Sequence, residues 1–145
     1  MRRPAPIALW VSVIGWVLVV SLASDAHGAA QLPMGSDGWT LPQGAAAEQS
    51  PLPVSAAVIA QGKRLYQSKC QRCHGPDGAG QGPDADPSHP PADLRDASRA
   101  SRNPDGVMFY KIWNGRAKPK MPAMKSELSP ADVWTVVHFV KTFRR

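Results

Sequence analysis

The sequence predicts a small all-α domain of three to four short helices joined by long loops. Two observations support this fold class. Apolar residues recur at helical spacing in three places, near residues 56–69, 104–113 and 129–145. Fifteen prolines and twelve glycines among 145 residues interrupt much of the remaining chain. So many breakers leave little of the chain for strands or long helices.

The first 30 residues resemble a targeting segment. Arg2 and Arg3 precede an apolar run from Ile7 to Leu22. Small residues follow, with cleavage sites after Ala26, Gly28 and Ala30. The alternative is a retained membrane anchor, although a spanning helix needs about 20 apolar residues and this run is slightly shorter. In both cases we expect the remaining chain in the periplasm or on the outer face of the cytoplasmic membrane.

Residues 31–54 are rich in proline, glycine and alanine and show no sustained period. This composition predicts a flexible linker or loosely attached arm. Its aromatic residue, Trp39, can pack on the domain or on a partner. The linker would join the targeting segment to a domain that covers residues 55–145.

The first helix is predicted from Ala56 to about Lys69, with Ser55 as its N-cap. One face of this helix is formed by Val58, Gly62, Leu65 and Tyr66. A glycine inside a helix costs about 1 kcal/mol relative to alanine. The usual structural reason to accept this cost is a second element that approaches closely, so we expect such an element at Gly62.

Two further helices follow. The second is predicted over 104–113, with Asn103 as its N-cap. The last begins at Ser129, where Asp132 can complete a capping box. Its apolar stripe consists of Val133, Val136, Val137 and Val140.

Residues 75–102 are predicted to form a loop, since glycine and proline prevent a long helix or strand there. A loop of this length is unusual in a compact domain. The apolar content of the domain is also low for independent stability. We therefore expect a cofactor to supply part of the core.

The two cysteines of the chain stand in the stretch Cys70-Gln71-Arg72-Cys73-His74. In an exported protein such thiols oxidise or are chemically occupied. A thioredoxin-like disulfide would follow a strand and open a helix, whereas this pair follows a helix. A zinc site needs four ligands, and the only other histidines in the domain are His89 and His138.

Cys-x-x-Cys-His is also the attachment signal of a c-type haem. The two thiols add across the two vinyl groups of the haem, and the spacing of two residues matches the separation of those groups. Cys70 and Cys73 would then be the attachment points, and His74 would be an axial ligand of the iron. The second axial ligand has two candidates, Met121 and Met124, in a proline-rich loop. Either methionine can instead fill a gap in the core.

Several segments together extend this motif: GKRLYQSKCQRCHGPDGAGQGP, PPADLR, MFYKIWNG, KMPAM and LSPADVWTVVHFVKTF. With them, residues 55–145 resemble a class I c-type cytochrome in its single-haem bacterial form. The resemblance implies one covalent haem c in an all-α fold, with Met121 as the second iron ligand and Met124 as the competitor. It also implies that the Pro83 carbonyl accepts a hydrogen bond from Nδ1 of His74. The resemblance further implies that the first and last helices cross, with Gly62 against Phe139 or its neighbours.

The expected function is electron transfer rather than catalysis, because a haem with both axial positions filled does not readily bind substrate. Lys and Arg exceed Asp and Glu by 17 to 11 without forming a charge run, which favours an acidic redox partner over nucleic acid. A candidate docking surface surrounds the methionines: Lys111, Arg116, Lys118, Lys120 and Lys125. Trp113 and Arg116 are candidates to contact a haem propionate. The alternative function is a haem-bearing subunit of a larger oxidoreductase.

Overall fold

The computed structural model describes residues 38–144. Its four α-helices are α1 (Ala56–Lys69), α2 (Gln71–His74), α3 (Asp105–Asn114) and α4 (Pro130–Lys141), with short 3₁₀ turns at Ala45–Ala47 and Ala97–Arg99. The described residues contain no extended strand, and an isolated β-bridge joins Arg116 and Met121. The all-α fold class is therefore confirmed. Between residues 38 and 144, no helix is long and apolar enough to cross a membrane.

Helices α1 and α4 cross at Gly62. A Cβ atom at this position would lie 2.0 Å from the carbonyl oxygen of Thr135 and 2.9 Å from Cβ of Phe139. Only a glycine lets the two backbones approach this closely. The close approach expected at the helix glycine is confirmed, and it joins the first and last helices of the domain.

The core lies between α1, α3 and α4. Helix α4 supplies most of it, since every residue from 133 to 140 is buried. From α3, the ring of Phe109 stacks on Trp134 with centroids 4.5 Å apart. From α1, Tyr66 is 1% exposed and packs against the rings of Phe139 and Phe143. These contacts fix the end of α1, where the cysteine motif begins.

Two of the predicted helix caps are confirmed. The hydroxyl of Ser55 accepts a hydrogen bond from the backbone N–H of Val58 at 3.2 Å. Ser129 and Asp132 form the complete capping box at the start of α4. Both caps satisfy N–H groups that the first helical turn leaves without a partner.

The predicted N-cap at Asn103 is wrong, because Pro104 occupies the cap position of α3. The side chain of Asn103 is engaged elsewhere. Its Nδ2 donates to the carbonyl of Arg99 at 2.9 Å, and its Oδ1 accepts from Nζ of Lys111 at 2.7 Å. The asparagine therefore joins the preceding turn to the side of α3.

The arm, defined here as residues 38–54, contacts α3 and α4. Ala45 is 4% exposed, and a Cβ atom on Gly106 of α3 would lie 2.1 Å from the Ala45 carbonyl oxygen. Farther along, Oγ of Ser50 lies 2.8 Å from Nε2 of the buried His138 on α4. The domain boundary predicted at residue 55 stays a prediction. The predicted signal peptide or anchor, at residues 1–30, lies outside the described residues.

Candidate functional site

The cysteine motif forms a short helix at the end of α1. Cys70 caps α1 by donating its backbone N–H to the carbonyl of Tyr66 at 2.8 Å. The Cys70 carbonyl then accepts from the N–H groups of Cys73 and His74, at 3.2 and 2.9 Å. This turn, α2, fixes the backbone positions of both cysteines and of the histidine.

The glycine-rich loop after α2 folds back over it. Three carbonyls at the end of α2 accept hydrogen bonds from this loop: Gly80 to His74 at 2.8 Å, Gly82 to Cys73 at 3.1 Å and Asp84 to Arg72 at 2.8 Å. A Cβ at position 82 would lie 2.2 Å from the Arg72 carbonyl oxygen. The loop can therefore reach the motif only with a glycine at this position. Residues 75–102, which the sequence predicted to be loop, contain no α-helix and only a short 3₁₀ turn at Ala97–Arg99.

The aromatic core also holds the motif. The hydroxyl of Tyr66 donates to the carbonyl of Gly75, the residue after His74, at 2.7 Å. Burial raises the pKa of this phenol, so the hydroxyl remains a donor. The chain therefore restrains α2 from the α1 side through Tyr66 and from the other side through the glycine loop.

The two cysteines are not joined by a disulfide. Burial raises the pKa of the Cys70 thiol to about 12, with the neighbouring Cys73 thiol as a smaller cause. A charged thiolate is therefore disfavoured at Cys70. A neutral sulfur, such as that of a thioether, suits this environment.

His74 lies in a partly enclosed position that favours the neutral imidazole. Burial lowers its pKa, and the backbone of Ala92 acts in the opposite direction. A neutral imidazole is the form that ligates a metal. Its Nδ1 is buried and makes no hydrogen bond within residues 38–144. Pro83 is exposed and makes no hydrogen bond with Nδ1 in this structure, so the bond that the family resemblance implied stays a prediction.

The two candidate methionines occupy different environments. Met124 is 7% exposed and belongs to the apolar core, and its N–H donates to the carbonyl of Ile112 in α3 at 3.0 Å. Met121 is only half-buried and packs against the edge of that core. The sequence left open that either methionine fills a gap in the core. Met124 is the one that does so in this structure.

Residues 115–123, here called the methionine loop, form a tight hairpin-like turn. The backbones of Arg116 and Met121 exchange two hydrogen bonds, each of 2.9 Å. Gly115 has a φ of 59°, and a Cβ there would lie 2.4 Å from the Met121 carbonyl oxygen. The loop contains a cis peptide bond between Lys118 and Pro119. Its two ends thus meet at the end of α3.

The remaining histidines have partners of their own. His138 is 5% exposed and lies against Ser50, as described above. His89 is exposed, and its Nδ1 lies 3.6 Å from a carboxylate oxygen of Asp86. His89 therefore faces solvent.

Sequence reasoning missed the position of Trp39. The Arg116 guanidinium carbon lies 4.4 Å from the centroid of the Trp39 ring, and Nζ of Lys111 lies 5.1 Å from it. The only sequence signal was a single aromatic residue in a linker-like segment. Trp113 stacks on Phe109 with centroids 5.8 Å apart. The haem-propionate contacts expected of Trp113 and Arg116 stay predictions.

The structure divides the predicted docking surface into two groups. Lys118, Lys120 and Lys125 are exposed, whereas Lys111 and Arg116 are partly buried beside Trp39. Lys118 and Lys120 also line a surface cleft of about 340 Å³ with Asp86 and His89. The exposed part of the docking surface thus lies at the outer edge of the methionine loop.

Residues 59–144 match the family model described as Cytochrome c, a match that includes α2 and the methionine loop. The chain belongs to the cytochrome c family. This cytochrome therefore carries covalently bound haem c with its iron. Two thiols and an imidazole, the groups that hold such a haem, stand at the cap of α2 and within it, and the roles expected of Cys70, Cys73 and His74 stay predictions.

One curated relative, the thiosulfate dehydrogenase of Stutzerimonas stutzeri (strain A1501), is 33% identical over 111 residues. These cover 74% of this cytochrome and 34% of the relative. The cytochrome therefore spans about a third of the length of that enzyme.

Solved structures show the same fold. A reducing HAO-like protein complex of Kuenenia stuttgartiensis matches with a TM-score of 0.58 at 28% identity, over 66% of this cytochrome and 48% of that chain. The KustC0563 c-type cytochrome matches with a TM-score of 0.51 at 28% identity, over 58% of this cytochrome and 98% of that chain. Cytochrome cL from Hyphomicrobium denitrificans matches with a TM-score of 0.50 at 20% identity, over 62% of this cytochrome and 49% of that chain. This last match supports the fold alone.

Proposed function

We propose that this protein is an exported single-haem electron carrier whose iron is ligated by His74 and Met121. The observation that carries the proposal is the difference between the two methionines. Met124 fills the core, whereas Met121 lies half-buried in a loop closed by two backbone hydrogen bonds. A thioether that ligates iron weakly benefits from such a restrained position. With both axial sites filled, the protein is suited to electron transfer.

The haem supplies one-electron redox chemistry at its iron. The residues of the chain bind and orient it. Cys70 and Cys73 would be the covalent attachment points. Helix α2 places His74 next to them, in a position that favours the neutral imidazole that can bind iron. Tyr66 and the glycine loop restrain this turn, so the imidazole has little freedom to leave its position. Pro83 remains a candidate acceptor for Nδ1 of His74, which has no other partner over the described residues.

Carbon monoxide tests the electron-transfer assignment. We expect the reduced wild-type protein to bind it poorly, because His74 and Met121 occupy both axial positions. Tight and rapid binding by the wild type would show an open site and would favour an enzyme that works at the haem. Met124→Leu is the matched control, because it changes the neighbouring methionine with little change in core volume.

The expected partner is acidic at its docking face. The exposed Lys118 and Lys120 of the methionine loop would attract such a partner, and electrostatically steered encounters weaken as salt screens the charges. We expect oxidation by the anionic reagent hexacyanoferrate to slow with ionic strength. The double variant Lys118→Glu and Lys120→Glu should slow it about tenfold at low ionic strength.

The control for this prediction is Lys63→Glu together with Arg64→Glu, the same charge change at two exposed positions of α1. This pair should reduce the rate clearly less than the loop pair. Equal losses for both pairs would mean that overall charge, and not a local docking surface, governs the encounter.

The alternative function is a haem subunit of a larger oxidoreductase. Two comparisons favour it: this cytochrome spans about a third of a thiosulfate dehydrogenase and about half of a chain in an HAO-like complex. Purification from native membranes and periplasm discriminates between the two functions. A free carrier elutes alone, whereas a subunit co-elutes with a catalytic chain at a fixed ratio.

Export rests on the arginines and the apolar run at the N-terminus. Mass spectrometry of the mature protein distinguishes the two forms proposed. A new N-terminus after Ala26, Gly28 or Ala30 indicates a cleaved signal peptide. An intact Met1 in the membrane fraction indicates an anchor.

A further inference from the structure

Arg116 contributes to the closure of the methionine loop with both its backbone and its side chain. Arg116 pairs with Met121 through both of its backbone polar groups, each at 2.9 Å. Its side chain also folds inward, and Nε donates to the carbonyl of Pro119 at 3.0 Å. Arg116 therefore restrains both the end and the middle of the loop. If it moves, Met121 loses its two backbone partners.

Trp39 holds Arg116 from outside the loop. The guanidinium lies over the indole face at 4.4 Å, within the range of a cation–π contact. Lys111 of α3 lies over the same ring at 5.1 Å. Indole is the aromatic ring that binds cations best, so the arm supplies the most suitable residue type at the point where the loop closes.

Two further contacts keep Trp39 at this position. Nδ2 of Asn114, the last residue of α3, donates to the carbonyl of Thr40 at 3.0 Å. Gly38, the residue before Trp39, lies close to the Lys118 carbonyl, since a Cβ there would be 3.5 Å from its oxygen. The arm thus crosses the methionine loop between these two points.

We propose that Trp39 is a positioning residue for the axial methionine: it holds Arg116, which in turn keeps the backbone of Met121 in the closed loop. This inference rests on the proposed ligation by Met121. It gives a function to a part of the arm that lies outside the residues matched by the family, 59–144. The protein would then carry, N-terminal to its cytochrome domain, a contact that sets how firmly the weaker iron ligand is held.

Trp39→Ala in the full-length haem protein tests the inference through hydrogen exchange. The backbone amides of Arg116 and Met121 are both bonded within the loop. We expect their exchange to accelerate about tenfold when the cation–π contact is lost. Exchange in α1 and α4 should not change, and Trp39→Tyr should restore most of the protection, because tyrosine retains an aromatic face.

Imidazole binding to the oxidised protein gives the second readout, because imidazole competes with the methionine for iron. We expect Trp39→Ala to bind imidazole about tenfold more tightly than the wild type, and Trp39→Tyr to lie between them. Ser50→Ala is the control for general loosening of the arm. It removes the contact with His138 at the other end and should leave both readouts at the wild-type level.

The outcomes separate the two claims. If the wild type binds imidazole as tightly as Met121→Ala, Met121 is not a ligand, and both the proposed ligation and this inference fail. If Met121→Ala binds more tightly but Trp39→Ala matches the wild type in binding and in exchange, only the inference fails. Equal changes in Ser50→Ala and Trp39→Ala would also overturn the assignment to Trp39.

Discussion

Replacement of Met121 by alanine is expected to lower the reduction potential on the order of 0.1 V, within the roughly 0.8 V range that axial ligands cover. A thioether stabilises reduced iron relative to oxidised iron, so its loss favours the oxidised form. The same variant should bind carbon monoxide readily when reduced, because one axial position is then open. Potentiometric titration followed by absorption spectroscopy measures the shift.

Met124→Leu provides the comparison for this prediction. Met124 is buried among core residues, so leucine should keep the potential near the wild-type value and cost less than about 1.5 kcal/mol of stability. The opposite pattern, with a large shift for Met124→Leu and none for Met121→Ala, would transfer the axial role to Met124.

Replacement of Gly62 by alanine is expected to destabilise the haem protein by about 3 kcal/mol. Alanine is the better helix former by about 1 kcal/mol, so an isolated α1 would gain from the change. In the folded protein, however, the new Cβ would lie 2.0 Å from the Thr135 carbonyl oxygen. Helix α4 must move away to remove this clash, which loosens the contact between the two helices.

Denaturant unfolding, followed by circular dichroism, measures this loss of free energy. Gln67→Ala is the matched control because it introduces the same residue at an exposed position of the same helix. It should change the free energy of unfolding by no more than about 0.5 kcal/mol. A Gly62→Ala protein as stable as this control would mean that the helices do not cross at Gly62.

The sequence predicted the helices and a close approach at Gly62 because those features depend on local chemistry, whereas the crossing of the first and last helices was implied by the family resemblance. Ser129 and Asp132 form a capping box within four residues, and the valines that follow recur at the spacing of one helix face. Gly62 was informative because a helix glycine has a cost that a close neighbour explains. Such signals need no knowledge of distant parts of the chain.

The arm and some polar contacts were harder to predict, since their partners are far apart in sequence. Trp39 reaches Arg116, and Ser50 reaches His138 on the last helix. A proline- and glycine-rich segment shows no period that indicates where it packs. The error at Asn103 has a local origin, because its amide bonds to Arg99 and to Lys111, four and eight residues away, instead of capping the helix.

The candidate site was predicted in part. The spacing of Cys70, Cys73 and His74 predicted a haem-attachment motif. The structure shows how Tyr66 and the glycine loop restrain the turn that contains it. The choice between Met121 and Met124 came from family resemblance and stays a proposal, which the burial of Met124 in the core supports. Nothing in the local sequence indicated that Nδ1 of His74 would be buried without a partner.

The absorption spectrum of the oxidised wild-type protein tests the central claim most directly. Ligation of ferric haem by methionine sulfur produces a weak long-wavelength charge-transfer band. We expect this band in the wild type and in Met124→Leu, and its loss in Met121→Ala. A wild-type spectrum without the band, or a band that survives in Met121→Ala, would contradict the assignment of Met121 as the second iron ligand.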